Sequence, residues 1–393
     1  MALAALEQEK RSLKAEVRGL QNAVQELRGS IRVFCRIRPK RTMESHYGVT
    51  PEGARSLCLR KPPGERRHDF SFDRVFCQTA QLEELYEEVG PLLSSILEGL
   101  HVCIFAYGQT GAGKTYTLAG EDGQPGLQDL AIAELRRLAG GMEVRLTALE
   151  IYNEAIQEPK ETVKNEYNQC EDLLQDGEEK LEVRQAEGWS PFGSMRVPNL
   201  SSRVVRAPED VSKALAQARG KRHVSATALN ERSSRSHTVT SFSVGHETGQ
   251  LGVLHIVDLA GSERTKVSQA EGLQMKEANC INRSLSALAD VLFALGDSTS
   301  TPAHVPYRNS KLTYLLQDAL GGTGCKTFLF AQVSPDACDA FESYSTLTFA
   351  ARVATSVQKG RLRPRPSPSP RAQAVGGSPR TFEVPPLPKR SDR

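Results

Sequence analysis

Residues 108–115 carry the clearest chemical pattern in the chain. They match G-x-x-x-x-G-K-[ST], in which glycines let the loop wrap tightly so that backbone N–H groups point inward at phosphate oxygens. Lys114 would bring a positive charge to the β- and γ-phosphates of a nucleotide, and the Thr115 hydroxyl would ligate Mg²⁺. The predicted phosphate loop consists of Gly108, Gln109, Thr110, Gly111, Ala112, Gly113, Lys114 and Thr115.

Two apolar stretches would position this loop and a metal-binding carboxylate. Residues 102–106 form a continuous apolar run directly before the loop, as expected for a buried central strand. The loop then opens a helix, which is the arrangement that anion binding at a helix N-terminus requires. A second apolar strand, residues 251–259, carries Asp258 near its end, where a Mg²⁺-binding acid is expected.

Strand-like and helix-like patterns alternate from about residue 30 to residue 356. Apolar residues recur at every second position from Ile31, whereas residues 81–100 show the spacing of an amphipathic helix. This alternation predicts one α/β domain, residues 30–356, with a central, mainly parallel β-sheet that helices cover on both faces. Further strands are predicted at residues 143–152, 238–244 and 327–333.

Residues 1–29 repeat apolar side chains with heptad spacing, which predicts a coiled-coil neck. β-Branched residues favoured at a and leucine at d are typical of parallel dimers, so we expect a homodimer; Lys10 and Gly19 weaken the seam. A surface helix that packs on its own domain is the alternative. The a positions are Leu3, Lys10, Val17 and Val24, and the d positions are Leu6, Leu13, Leu20 and Leu27.

Composition and charge limit the other classes of function. The net charge is +3, and residues 356–393 hold nine Lys/Arg against two acidic residues, so the body is close to neutral, which argues against a general nucleic-acid binder. There is no C-x-x-C pair and no apolar run of about 20 residues, so no membrane span is predicted. Charged residues begin at Glu7, too early for a signal peptide. We expect reduced thiols and a cytoplasmic protein.

Residues 357–393 are rich in Arg, Pro and Ser and cannot bury apolar surface, so they are predicted to form a disordered tail. Within them, residues 385–390 (PPLPKR, from Pro385 to Arg390) fit the P-x-x-P-x-R ligand of a polyproline-binding domain. Because such patterns are common in Pro-rich sequence, an inert, solvated tail is the favoured interpretation and the ligand is the alternative.

Two further strings resemble those of a known family. Residues 230–237 (NERSSRSH) are a dense run of hydroxyls and charges, and residues 258–263 (DLAGSE) end the second apolar strand. They closely resemble switch I and switch II of the kinesin motor domain. The resemblance continues, in order along the chain, through residues 36–39, 105–108, 150–154, 282–288 and 304–313.

The resemblance implies a kinesin-type P-loop NTPase: a microtubule-stimulated ATPase that uses ATP and Mg²⁺ to drive movement along microtubules of the cytoskeleton. It implies that Ser233 and Ser234 contact the γ-phosphate, Mg²⁺ and the attacking water. Gly261 would sense the γ-phosphate through its N–H, and Arg235 and Glu263 would form the ion pair that closes both switches around ATP.

The resemblance also assigns the remaining binding residues. The implied ATP contacts outside the loop are Arg36, Arg38, Pro39 and Tyr116, with the adenine flanked by all of these except Arg38. The implied Mg²⁺ ligands, partly through water, are Thr115, Ser234 and Asp258. Because tubulin surfaces are acidic, binding to microtubules should weaken as salt rises. The implied microtubule-binding residues are Arg264, Lys266, Lys276, Tyr307, Arg308 and Lys311.

The position of the coiled coil indicates the direction of movement. It abuts the first strand through Arg28-Gly29-Ser30, and the C-terminal side of the domain runs directly into the Pro-rich tail. This order resembles the C-terminal-motor, minus-end-directed kinesins, in which Asn usually stands in place of Ser30. A static microtubule crosslinker with weak ATPase activity is the alternative. Residues 158–171 exceed the family pattern and are predicted to form a surface-loop insertion.

Overall fold

The structure is a computed structural model that describes most of the predicted domain. Ser233, Arg264, Lys266, most of residues 1–28 and all of residues 362–393 lie outside the described part. The described residues are 8–9, 13, 16, 29–41, 47–62, 66–121, 123–152, 169–174, 181–185, 195–206, 210–211, 213–217, 234–246, 249–263, 273–296, 304–321 and 325–361.

Most of the described strands belong to one mixed sheet. The strands are β1 Ile31–Ile37, β2 Gly48–Pro51, β3 Ser56–Arg60, β4 Arg67–Ser71, β5 Arg74–Phe76, β6 His101–Tyr107, β7 Gly120–Glu121, β8 Gln124–Pro125, β9 Glu143–Tyr152, β10 Gln169–Asp172, β11 Arg184–Gln185, β12 Met195–Arg196, β13 Arg203–Val204, β14 Ser236–His246, β15 Gly249–Asp258 and β16 Lys326–Val333. The main sheet has the order β10-β9-β14-β15-β6-β16-β1-β5, with β13 also paired to β9. Smaller sheets join β2-β3-β4, β7-β8 and β11-β12.

The helices pack on both faces of this sheet. They are α1 Leu82–Val89, α2 Leu93–Ile96, α3 Lys114–Ala119, α4 Leu127–Ala139, α5 Leu273–Gly296, α6 Lys311–Leu315, α7 Gln317–Gly321 and α8 Ala340–Arg361. The alternation along β1 separates the two layers. Val33 and Cys35 belong to the core under α5 and α8, whereas Phe34 belongs to the core under α1 and α4.

The parallel half of the sheet directs two loops to one edge. β15 and β16 flank β6, and all three strands are parallel. Asp258, the last residue of β15, pairs with Ala106 near the end of β6. Because the carboxyl ends of parallel strands meet at the same edge of a sheet, the segments that follow β6 and β15 start side by side.

The antiparallel half brings a third segment to the same place. β14 runs antiparallel to β15, and Thr238 lies opposite Asp258, so the start of β14 lies where β15 ends. The predicted α/β fold is confirmed. The sheet is parallel from β15 to β5, and β14, β9 and β10 form an antiparallel extension beyond it.

The predicted strand bounds differ from those of β14, β15 and β16 by one or two residues, and two helical stretches differ more. The helix expected over residues 81–100 is wrong as one continuous helix, because a 3₁₀ turn at Gly90–Leu92 separates α1 from α2. Pro91 lacks the N–H that a continuous helix would use, which accounts for the break. The final helix, α8, continues to Arg361, beyond the domain end predicted at residue 356.

The described residues cover only part of the other predicted features. The end of the predicted insertion at residues 158–171 belongs to β10, which pairs with β9, and the rest lies outside the described part. None of the seven cysteines whose side chains are described forms a disulfide. No helix in the described part is long and apolar enough to cross a membrane.

Candidate nucleotide-binding site

The phosphate loop follows β6 in a course that only glycine tolerates at its first position. Gly108 has φ +148°, and a Cβ there would lie 2.2 Å from the carbonyl oxygen of Gln332 in β16. Gly113 also has positive φ, +95°, immediately before α3 begins at Lys114. These two glycines therefore allow the chain to turn tightly between strand and helix.

The ammonium group of Lys114 lies inside the curve of this loop. Its Nζ donates hydrogen bonds to the carbonyl oxygens of Gly108 at 2.8 Å and of Gln109 at 3.0 Å. The residue is 8% exposed, so its charge is held within the loop rather than in bulk water. A compact positive charge at this position fits the binding of phosphate oxygens.

A hydroxyl and a carboxylate meet beside the loop. Thr115 Oγ1 donates a 2.8 Å hydrogen bond to Asp258 Oδ2. Both are hard oxygen ligands of the kind that Mg²⁺ prefers, and both lie at the sheet edge where the loop turns. This donor set fits the predicted magnesium site.

Arg36 and Tyr116 lie together on the far side of the loop. The Arg36 guanidinium carbon is 5.0 Å from the centroid of the Tyr116 ring, and its Nη1 donates to Thr117 Oγ1 at 3.2 Å. Burial lowers the pKa of Arg36, partly offset by Tyr116. The Tyr116 hydroxyl donates to Gln124 Oε1 at 2.7 Å, which holds the ring in place. Because Arg36 is 3% exposed, the partly exposed Tyr116 ring, with this guanidinium behind it, is the face suited to an adenine ring.

Arg38 differs from its predicted role. Its Nη2 donates to Asp336 Oδ2 at 2.7 Å and to Asp339 Oδ2 at 3.3 Å, and the residue is 7% exposed. The guanidinium therefore holds the end of β1 against the segment after β16. This geometry does not support the prediction that Arg38 contacts ATP. Pro39, the next residue, is exposed.

Switch II is hydrogen-bonded both to switch I and to the phosphate loop. The N–H of Gly261 donates to the carbonyl oxygen of Ser234 at 2.8 Å. The N–H of Ser262 donates to the carbonyl oxygen of Gly108 at 3.1 Å. The structure thus brings the described switch residues together at the predicted edge, although the Gly261 amide contacts switch I in this conformation.

The predicted ion pair between Arg235 and Glu263 is absent from the described residues. Both carboxylate oxygens of Glu263 instead accept from Thr110, Oε2 from the backbone N–H at 2.8 Å and Oε1 from the hydroxyl at 2.5 Å. A backbone amide and a hydroxyl on one residue satisfy the carboxylate without ordering a long arginine side chain. Glu263 therefore links switch II to the phosphate loop.

The predicted microtubule-binding residues are only partly described. Arg264 and Lys266 lie outside the described part, and Lys276 belongs to α5 but its side chain is not among those described. Tyr307 and Arg308 lie in a 3₁₀ turn, Tyr307–Asn309, and Lys311 begins α6. The structure places these last three on one short surface segment.

Tyr307 and Arg308 differ in how they are held. Burial, with smaller contributions from Asp318 and Cys325, raises the pKa of Tyr307 to about 12, and its carbonyl oxygen accepts from Thr313 Oγ1 at 2.7 Å. Tyr307 packs against the core, whereas Arg308 is exposed. Tyr307 therefore anchors the segment, and Arg308 presents the charge.

Sequence reasoning did not single out two buried polar residues directly behind the site. His237 in β14 and Ser284 in α5 are 3% and 1% exposed, and they contact each other. Both belong to strings that carry the family resemblance, residues 230–237 and 282–288. Their presence in these strings was the only signal that the sequence offered. It could not show that the two residues contact each other, because they lie far apart in the chain.

The fold and this site define a P-loop nucleoside triphosphatase. Comparison with protein families narrows the class: the kinesin motor domain model matches residues 36–356. The chain belongs to the kinesin motor domain family, which binds ATP.

Curated relatives are longer than this chain. Kinesin-like protein KIN-14J of Arabidopsis thaliana is 44% identical over 363 residues, which cover 86% of this chain and 32% of that protein. Kinesin-like protein KIN-14Q of Oryza sativa subsp. japonica is 41% identical over 368 residues, covering 88% of this chain and 36% of the relative. The chain thus spans about a third of the length of the curated relatives that it matches.

Solved structures of motor domains match almost over their full length. The motor domain of the kinesin-like protein Kar3 of Saccharomyces cerevisiae is 35% identical with a TM-score of 0.68, covering 83% of this chain and 99% of that one. The C-terminal motor and motor homology domain of Kar3Vik1, fused to a synthetic heterodimeric coiled coil, is 33% identical with a TM-score of 0.70, covering 89% and 97%.

Proposed function

We propose that this chain is an ATP-driven microtubule motor that moves toward the minus end. The observation that carries the proposal is the meeting of three segments at one sheet edge: the phosphate loop, switch I from Ser234 onward, and switch II from Asp258 to Glu263. Switch II contacts both the phosphate loop and switch I, and such a linkage is suited to convert the loss of one phosphate into movement.

Each part of the site has a distinct role in phosphoryl transfer. Lys114 neutralises charge on the β- and γ-phosphates, and Thr115, Ser234 and Asp258 hold Mg²⁺ directly or through water. When bound, Mg²⁺ would supply positive charge that stabilises the negative charge developing as the phosphate bond breaks. Ser233, beside Ser234, positions the attacking water.

Closure of the switches requires an exchange of hydrogen bonds. Gly261 contacts the γ-phosphate only when its N–H leaves the Ser234 carbonyl oxygen, and Glu263 pairs with Arg235 only when it leaves Thr110. Two mutually exclusive sets of contacts define a two-state element, which ATP binding and phosphate release would bias. We therefore assign the contacts described above to the open state of the switches.

The microtubule-binding surface combines switch II and α5 with the segment around Arg308. It comprises Arg264, Lys266, Lys276, Arg308 and Lys311, with Tyr307 as the anchor. Arg308 is exposed, and its guanidinium carbon lies 5.9 Å from the Tyr314 ring centroid, which limits its motion. Opposite charge on tubulin would favour association and orient the motor.

The direction of movement and the oligomeric state follow from the N-terminal heptads. The similarity to the C-terminal motor of Kar3Vik1 supports a motor whose neck precedes β1. Leu13, at a predicted d position, is helical and 55% exposed, as a seam residue awaiting a partner helix would be. The chain is therefore proposed to form a homodimer through residues 1–29 and to work on cytoplasmic microtubules.

The domain division and the tail remain part of the proposal. Residues 30–356 form the motor domain, and residues 357–393 contribute a basic tail that begins within the last turns of α8. The segment from Pro385 to Arg390 binds a polyproline-recognition domain. Binding of that segment as an isolated peptide, compared with the peptide in which both prolines of the P-x-x-P core are alanine, tests this part separately.

A gliding assay on polarity-marked microtubules tests the function. The full 393-residue protein should move microtubules with their plus ends leading in the presence of ATP. It should hold them without movement in a non-hydrolysable analogue. Lys114→Ala serves as the control and should not support movement. Tethering without movement in ATP would support the static crosslinker instead, and plus-end-directed movement would overturn the assignment of polarity.

A further inference from the structure

His237 lies where three functional elements meet. It is the second residue of β14, directly after Ser236, and its ring is buried between the segment after β15 and α5. At 3% exposure the imidazole is shielded from water, and its partner Ser284 is 1% exposed. Buried polar groups of this kind are held by hydrogen bonds that define their orientation.

The first of these hydrogen bonds determines the tautomer of the ring. The backbone N–H of Ala260 donates to His237 Nδ1 at 3.0 Å. An amide N–H has no acceptor function here, so Nδ1 carries no proton and accepts. The ring proton of the neutral imidazole is therefore on Nε2, and an imidazolium would lose the contact with Ala260 because both of its nitrogens donate.

The remaining bonds follow in sequence. His237 Nε2 is 2.6 Å from Ser284 Oγ and donates to it. Ser284 Oγ in turn donates to the carbonyl oxygen of Ile281 in the preceding turn of α5, at 2.8 Å. A directed series of three hydrogen bonds thus runs from the switch II backbone through the imidazole to the backbone of α5.

This series begins next to the γ-phosphate sensor. Ala260 immediately precedes Gly261, whose N–H contacts the Ser234 carbonyl oxygen in this structure. It ends in the middle of α5, a helix of 24 residues that also carries Lys276 of the proposed microtubule surface. Leu285 and Leu288 pack the same stretch of α5 into the core, so a displacement at Ser284 moves the helix as a body.

We propose that His237 is a positioning residue that couples the switch II backbone to α5 through Ser284, so that microtubule binding at α5 accelerates ATP turnover. The inference rests on the proposed motor function. It assigns to one neutral imidazole the transmission between the nucleotide site and the microtubule surface. Neither His237 nor Ser284 contacts the nucleotide in this account.

The Ser284→Ala variant removes the acceptor on α5, and Ser286→Ala is its matched control because Ser286 is exposed on the same helix. Basal and microtubule-stimulated ATPase are measured on the full chain. We expect Ser284→Ala to retain basal turnover and to lower the stimulated kcat by about fivefold, with the KM for microtubules changed less. Ser286→Ala should match the wild type in both. A purely structural role would reduce basal and stimulated turnover together.

Two variants of His237 cut the series at different ends. In His237→Asn the amide oxygen replaces Nδ1 and still accepts from Ala260, but the side chain is too short to reach Ser284. In His237→Gln the amide nitrogen replaces Nε2 and still donates to Ser284, but the acceptor for Ala260 is lost. Both should lower the stimulated kcat, and adding Ser284→Ala to His237→Asn should cause no further loss, because the series is already interrupted.

A spectroscopic measurement tests the tautomer without reference to activity. The nitrogen chemical shifts of an imidazole distinguish a bare from a protonated ring nitrogen, and the His237→Gln variant assigns the signals. A bare Nδ1 with a protonated Nε2 supports the proposal, and a proton on Nδ1 overturns it. If the wild type is stimulated by microtubules but Ser284→Ala behaves as Ser286→Ala does, this inference alone is overturned. A wild type without stimulation overturns the proposed function as well.

Discussion

Thr110 of the phosphate loop holds Glu263 of switch II by two hydrogen bonds, one from its backbone N–H and one from its hydroxyl. The two donors lie on the same residue and meet the two oxygens of one carboxylate. The same carboxylate is the proposed partner of Arg235 in the closed state. Thr110 and Arg235 therefore compete for Glu263, and the outcome of that competition sets how readily the switches close.

Substitution of Thr110 by valine should ease this closure. The variant keeps the shape and the backbone N–H but loses the hydroxyl, and a hydrogen bond to a charged group contributes about 1.5–3 kcal/mol. About 1.4 kcal/mol is tenfold in an equilibrium, so a loss at the lower end of that range predicts a rise in basal ATP turnover of about tenfold. Steady-state ATPase without microtubules measures it.

Thr110→Ser is the control for this variant because it keeps the hydroxyl donor. Its basal turnover should equal that of the wild type. Nucleotide affinity, measured in parallel with a fluorescent ATP analogue, separates an effect on closure from an effect on binding. Equal basal rates for the valine and serine variants would show that the Thr110 hydroxyl does not restrain Glu263.

The Glu263 contact shows what the sequence reveals of the site and what it does not. The strings at residues 108–115 and 258–263 indicate which residues gather at the phosphate, since their types and spacing reflect that chemistry. They do not indicate which of two donors a carboxylate contacts, because both lie far away in the chain. The contact depends on tertiary geometry, and here it differs from the predicted ion pair.

The sequence likewise predicts some features of the fold and misses others. β9 has the predicted bounds, Glu143–Tyr152, because a long run of apolar and β-branched residues follows Gly140 and Gly141. The periodicity over residues 81–100 was equally regular, yet Gly90–Leu92 interrupts the helix locally without altering the apolar face. Periodicity reports which face is buried, and it is insensitive to a single turn in which the backbone hydrogen bonds change.

Gly108, the first glycine of the phosphate loop, should tolerate substitution far less than Gly111. Gly108→Ala would force a Cβ to 2.2 Å from the Gln332 carbonyl oxygen at φ +148°, so β6 and β16 would have to separate. We expect a loss of about 3 kcal/mol in the free energy of unfolding. Thermal and denaturant unfolding monitored by circular dichroism measure it.

Gly111→Ala provides the matched comparison. Gly111 also has positive φ, +78°, but a Cβ there meets no atom within 4 Å. Only the cost of the left-handed conformation remains, about 1 kcal/mol. If both alanine variants lose the same stability, the close approach of Gly108 to β16 has no energetic weight.

A buried and a half-buried histidine, His255 and His101, should make the domain less stable as the pH falls. Burial, and secondarily His101, lowers the pKa of His255 well below its usual range, and burial lowers the pKa of His101 despite an opposing effect of Asp318. Their rings lie 5.9 Å apart. The unfolded chain then binds protons before the folded one, so stability is greatest above pH of about 6.5 and declines below it.

The decline should reach up to about 1.4 kcal/mol per pH unit for each histidine. Urea unfolding of the wild type and of His255→Gln between pH 7.5 and 5 measures the difference in slope. The variant loses a hydrogen bond to Ser241, now 2.8 Å from His255 Nδ1, so it should be less stable at neutral pH. The expected result is a shallower dependence of stability on pH in the variant, whatever its absolute stability. Parallel pH dependences would contradict the role given to His255.

Loss of the Arg308 side chain should weaken microtubule binding, whereas loss of the Tyr307 hydroxyl should not. Arg308 is exposed and presents its charge, so Arg308→Ala should weaken affinity about threefold at low salt and make it less sensitive to salt. Tyr307 is packed against the core, and Tyr307→Phe removes only the hydroxyl, so its affinity should remain that of the wild type. Cosedimentation with microtubules over a series of salt concentrations measures both. A large loss of affinity in Tyr307→Phe with none in Arg308→Ala would mean that the tyrosine hydroxyl, and not the arginine charge, contacts tubulin. The comparison is direct because the two neighbours share the same short turn and differ in which side chain reaches the solvent.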